Sequence, residues 1–170
     1  MRRSGLILFC LTLCSLCWPA MGFTFTADKR DTLRGLTEVS VLVEYLPDDI
    51  EREGLSREHL TRDIEARLRT AGLRVLTMSD IATSPGAPYL YVAVYAITGP
   101  MVNVNAYAIA LTLKQLVHLS RHPTTELFVT TWDGPALPGL LSAPGVLDIR
   151  NRISEAVERF IIDYQTVNQK

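Results

Sequence analysis

Along the chain the period of polar and apolar positions changes several times, and each change marks an element. In "EVSVLVEYL", Val39, Val41, Val43 and Tyr45 alternate with Glu38, Ser40 and Glu44, the two-residue repeat of a half-buried strand. "PDDIEREG" then turns the chain. Ser56 is placed as an N-cap for "REHLTRDIEARLRTAG", in which Leu60, Ile64, Leu68 and Ala71 recur at three- and four-residue spacing. Leu55 and Leu60 are set as a hydrophobic staple, and Gly72 takes the left-handed position that ends the helix. "LRVLT", Leu73 to Thr77, is a short strand. Strand, helix and strand in this order predict a right-handed crossover between parallel strands.

"MSDIATSPGAP" has room for one helical turn before Pro85, Gly86 and Pro88 break it. In "YLYVAVYAI", alternation puts Leu90, Val92 and Val94 on one side and Tyr89, Tyr91 and Tyr95 on the other. After a turn at "TGPMVN", "AYAIALTLKQLVHL" places Tyr107, Ile109, Leu111 and Leu113 opposite Ala106, Ala108, Ala110 and Thr112. The bulky set is expected to face the helices. A turn at "RHPT" leads to a strand from Thr125 to Trp132, and "DGPALPGLLSAPG" reads as a loop. From Val146 to Asn168, Ile149, Ile153, Val157, Phe160, Ile161, Tyr164 and Val167 draw an apolar stripe on a helix of about 33 Å. Five strands and two helices in the order β-α-β-β-β-β-α predict an α+β fold: a two-layer sandwich with a mixed sheet and both helices on one face. The other face can tolerate water, so the three tyrosines are expected to stand there beside the small residues of the neighbouring strand.

The start of the chain sets an expected address. Arg2 and Arg3, an apolar run from Leu6 to Trp18, and the small residues Ala20 and Gly22 make a secretory signal over residues 1–22, cut before Phe23. The run is too short to span a bilayer, which takes about 20 residues, so no membrane span is expected after cleavage. A flexible lead-in over 23–35 and a single domain over 36–170 follow. All three cysteines, Cys10, Cys14 and Cys17, fall inside the signal, so the cleaved chain has neither disulfide nor thiolate chemistry. Cleavage leaves 15 basic against 18 acidic residues, a balance that suggests neither nucleic acid nor an anionic membrane as partner.

The exported start, the strand-helix-strand opening, the antiparallel meander and the long closing helix resemble a group of small bacterial envelope domains. Among them are the lipoprotein that plugs the lipopolysaccharide-export barrel and the N-terminal domain of the Tol-Pal β-propeller protein. "SVLVEYLPDD" and "PGAPYLYV" are also similar to segments of an uncharacterised family of exported bacterial proteins. The resemblance implies accessory or recognition work in the envelope; the exported chain is expected in the periplasm, with secretion or outer-membrane association as the alternatives. Members of the lipoprotein group carry a lipidated cysteine. Here Leu13 and Leu16 stand where lipoprotein cleavage needs a small residue before Cys14 and Cys17.

Catalytic patterns are few. His118 and His122 have the spacing of a helical metal pair, but within a strand four residues separate them by about 13 Å, and Pro123 follows. His59, among Arg57, Glu58 and Arg62, reads as a solvated helix residue. Asp48, Asp49, Glu51 and Glu53 lack the spacing and central glycine of a calcium loop and read as a polar turn. "WDG" at Trp132 to Gly134 occurs once, as an Asp-Gly turn. Neither a nucleophile elbow nor a phosphate-cradling glycine loop is present, so neither enzyme activity, metal nor cofactor is expected.

Two surfaces remain as candidates. One is Tyr89, Tyr91 and Tyr95, large rigid contacts with polar tips that can equally be packed over Ala108 and Ala110. The other is Leu137, Leu140 and Leu141, which either fold back onto the core or form an exposed apolar contact. The expected function is a non-enzymatic binding domain that meets an envelope protein, peptide or other envelope component through the sheet face, the leucine loop or a free sheet edge. A small-ligand or lipid carrier is the alternative, and a hydrolase without a recognisable motif the third.

Overall fold

A computed structural model describes residues 28–97, 106–140 and 145–169; the expected signal segment, the turn at "TGPMVN" and Leu141 lie outside them. β1 (Glu38–Val43) is followed by a one-turn helix α1 (Asp48–Arg52), the long α2 (Arg57–Thr70) and β2 (Arg74–Leu76). A three-ten turn at Ile81–Thr83 precedes β3 (Tyr89–Ile97), then β4 (Ala106–Leu119), β5 (His122–Asp133), β6 (Leu137–Leu140) and the closing helix α3 (Gly145–Asn168). The sheet runs β2-β1-β3-β4-β5, with β6 also paired to β4. β1 is parallel to both β2 and β3, and the pairs β3–β4, β4–β5 and β4–β6 are antiparallel. This is the α+β mixed sheet that the periodicity predicts.

The core forms where the predicted stripes meet. Val39, Val41, Val43, Leu90, Val92, Val94, Ile109, Leu111 and Leu113 line one face of the sheet, and Leu60, Ile64 and Leu68 of α2 with Ile149, Ile153, Val157 and Phe160 of α3 close over it. Ser56 caps α2 by accepting from the His59 amide, and Gly72 turns the chain out of the helix at φ 92°. Trp132 is fully buried at the end of β5. Its ring meets Phe160 edge to face at 5.1 Å and its Nε1–H donates to Asp163 at 3.0 Å.

Five local expectations change. Tyr45 leaves the alternation because β1 ends at Val43, and its ring is 81% exposed under the Arg57 guanidinium. The acidic turn after it forms α1, held down by buried Ile50. The "DGPALPGLL" loop contains a sixth strand, β6, despite Pro138 and Gly139, because that stretch completes the edge of β4. The end of the lead-in, residues 28–35, is folded onto the domain: Lys29–Leu33 forms a three-ten turn, Leu33 is buried, and Asn168 Nδ2 donates to the Leu33 carbonyl at 2.8 Å.

β5 also begins earlier than Thr125. The hairpin turns at Ser120 and Arg121, so His118 and His122 lie on two facing strands and not along one. Pro123 is tolerated because β5 is an edge strand.

Candidate functional site

Strand register decides which side chains share the face that carries no helix. On β3 these are Tyr89, Tyr91, Ala93 and Tyr95, and their partners are Lys114, Thr112, Ala110 and Ala108 on β4. On β1 they are Ser40 and Leu42, opposite Tyr89 and Tyr91. On β5, Phe128 stands opposite Leu116 and Thr130 opposite Lys114. β6 adds Pro138 opposite Ala108 and Leu140 opposite Ala106, while its alternate residues Leu137 and Gly139 turn toward the helices. The loop leucines and the strand tyrosines therefore belong partly to one surface. Tyr95 and Leu140 lie on the same face, on either side of β4, opposite Ala108 and Ala106, two residues apart along that strand.

The predicted site residues have different fates on that face. Tyr89 is half-buried, with its ring edge to face against Phe128 at 5.5 Å. Tyr91 is half-buried between the Lys114 ammonium, 4.5 Å from its ring centre, and the Glu44 carboxylate, which accepts a hydrogen bond from its hydroxyl. Tyr95 is 57% exposed and Leu140 is 66% exposed. Leu137 packs against the core, as the inward-facing residue of β6. Leu141 lies outside the described residues. Tyr89 and Tyr91 are thus occupied by internal partners, and the outward contact passes to Tyr95 and Leu140. Two further members, Leu42 and Phe128, are 36% and 49% exposed. A signal for Leu42 was present, since it is the one large apolar residue on the polar side of its strand.

Tyr91 has a measurable signature. The hydrogen bond to Glu44 holds the phenol in its neutral form, with burial and the Glu44 charge adding to the effect, and its pKa is pushed up from 10 to about 12. Stability from this group is complete below about pH 10 and is lost as the pH rises through about 12. A phenolate absorbance titration of Tyr91→Phe is expected to lose one step near pH 12, with the rest of the curve in place. Glu44→Gln is expected to bring that step down toward 10; a step unmoved by this change would remove Glu44 as its cause.

The residues weighed for chemistry do not converge. His118 Nε2 lies 3.7 Å from Glu126 and its Nδ1 lies 2.9 Å from the Pro123 carbonyl oxygen, all on the outer part of the β4–β5 hairpin, where both side chains are more than half exposed. His59 sits on the outer surface of α2. Among the described residues no three His, Cys, Asp or Glu side chains come together in a way that could hold a metal ion, and no helix is long and apolar enough to cross a membrane.

Fold and face together define an α+β sandwich domain with an apolar, partly open sheet surface. No family model matches the chain, and no curated protein matches it. Among solved structures it is similar to a minor lipoprotein from Acinetobacter baumannii, with a TM-score of 0.33 and 11% identity over 78% of this chain and 93% of that one.

Proposed function

We propose that the chain is an exported, non-enzymatic binding module of the bacterial cell envelope, and that it docks a protein partner through the helix-free face of its sheet. The observation that carries this reading is the juxtaposition of Tyr95 and Leu140. They are contributed by β3 and β6, flank the small residues Ala106 and Ala108, and remain more than half exposed. Leu42 on β1 and Phe128 on β5 stand further along the same face, beyond Tyr91 and Tyr89. Isolated exposed apolar side chains are ordinary, whereas several on one sheet face, with rigid aromatic rings among them, are typical of surfaces that meet a partner. The secretory pattern of residues 1–22 supports export.

The reading predicts where contact occurs in cells. With p-benzoylphenylalanine at position 95 or 140, irradiation is expected to give a discrete protein adduct. The same residue at position 155, on the exposed side of α3, is expected to give none. Equal adducts at all three positions, or none at 95 and 140, would overturn the proposal.

A further inference from the structure

The edge of β1 is left open over half its length, and α2 makes a wall beside it. β2 pairs only with Glu38, Val39 and Ser40 and ends at Leu76. The amides of Ser40 and Glu44 donate to the Pro88 and Val92 carbonyls at 3.0 and 2.9 Å, so the even-numbered residues of β1 direct their backbone groups toward β3. The odd-numbered ones point the other way, and the Thr37 carbonyl accepts from the Arg74 amide at 3.0 Å on that side. The carbonyl of Val41 and both backbone groups of Val43 therefore face a position where, among the described residues, no strand lies.

That position is a groove of about 560 Å³ between Val41–Val43 and the first turns of α2, which contribute Arg57, Thr61, Arg62 and Glu65. Unpaired strand groups beside a helix are a template for an added strand, with main-chain bonds giving affinity and flanking side chains giving selectivity. The charges of the wall are unequal in their freedom. Glu65 is held by Arg69 at 2.8 Å, and Glu58 accepts from the Ser56 hydroxyl at 3.1 Å. Among the described residues neither Arg57 nor Arg62 has a carboxylate partner: Arg57 lies 4.5 Å from the Tyr45 ring centre, and Arg62 makes one long bond, 3.4 Å, to the Glu58 carbonyl. The groove thus offers backbone pairing together with two guanidiniums that have no carboxylate partner among the described residues, and such groups suit carboxylates in bidentate geometry.

We infer that an extended, acidic peptide segment of a partner protein adds to β1 as a strand in line with β2, its carboxylate side chains held by Arg57 and Arg62. This inference rests on the reading of the chain as a binding module but uses the backbone edge of β1 and the α2 wall, which share only Leu42 with the tyrosine face, so the two can fail separately.

The test is selection of a random twelve-residue peptide display library on the whole mature chain. Alternating sequences with acidic residues are expected to be enriched, and a peptide of the selected sequence is expected to bind about tenfold more weakly to Arg57→Glu/Arg62→Glu, whose circular dichroism should be unchanged. Restoring the charge match with lysine in place of the peptide's acidic residues is expected to recover binding to that variant. N-methylation of alternate peptide amides should abolish binding in one phase and leave it intact in the other, since only one edge of an added strand pairs with β1. Absence of enrichment, equal binding to the reversed-charge variant, or insensitivity to N-methylation would each overturn the inference. So would enrichment of this chain's own sequence, which would assign the groove to self-association. Loss of the adducts at positions 95 and 140 with peptide binding intact would remove the tyrosine-face reading alone.

Discussion

Trp132→Ala is expected to lower the free energy of unfolding by about 3–5 kcal/mol, the usual cost of emptying an aromatic site in a core. Trp132 has no exposed surface, packs its edge on Phe160 at 5.1 Å, and fastens β5 to α3 through the bond to Asp163 at 3.0 Å. Deletion removes apolar burial, an aromatic contact and a hydrogen bond at one point, where the sheet's edge strand meets the closing helix. Because small domains are stable by roughly 5–15 kcal/mol, a large part of the total rests there. Urea unfolding should show a lower midpoint with the slope preserved. Trp132→Phe separates the contributions: it keeps most of the packing, and its loss should be the smaller of the two. A loss below about 1 kcal/mol for the alanine variant would show that the indole is not a core element.

The second large effect is expected at Gly139. Its cross-strand partner is Tyr107, and a Cβ at position 139 would collide with the hydroxyl end of the Tyr107 ring. Tyr107 is itself fixed: it is buried, and its hydroxyl donates to Asp148 in the first turn of α3. The ring covers the glycine of the neighbouring strand and ties β4, β6 and α3 together. Gly139→Ala should cost about 1–3 kcal/mol, the range for overpacking a site whose neighbour cannot withdraw. In a Tyr107→Ala background the same substitution should cost far less. A double-mutant cycle with no coupling would show that β6 is not held against Tyr107. Because β6 holds Leu140 on the same face as Tyr95, Gly139→Ala should also weaken the adduct from position 140.

Much of the fold was legible in the order of residues because its signals are local. The Ser56 cap, the Leu60, Ile64 and Leu68 stripe and Gly72 at φ 92° all act within a few residues of one helix, and they predicted α2 almost to the residue. The misreadings came from places where distant partners override local composition. Pro138 and Gly139 argue for a loop, yet the open edge of β4 accepts them as β6 because Tyr107 fills the space that glycine leaves. The acidic 48–52 segment reads as a solvated turn until Ile50 finds the core. At the candidate site, alternation put the three tyrosines on the correct face. It could not foresee that Phe128, Lys114 and Glu44 would occupy two of them.

What the sequence determined by itself is the set of elements and the inward side of each, because a period of 2 or 3.6 residues is a property of a short stretch of chain. What only the tertiary structure decided is which strands lie side by side: that β6 returns to β4, and that β2 stops short of the end of β1. Those pairings join residues tens of positions apart, and register between such partners is set by packing across the whole sheet, not by any repeat within one strand. The apolar surface around Tyr95 and Leu140 and the groove beside Val43 both arise at that level.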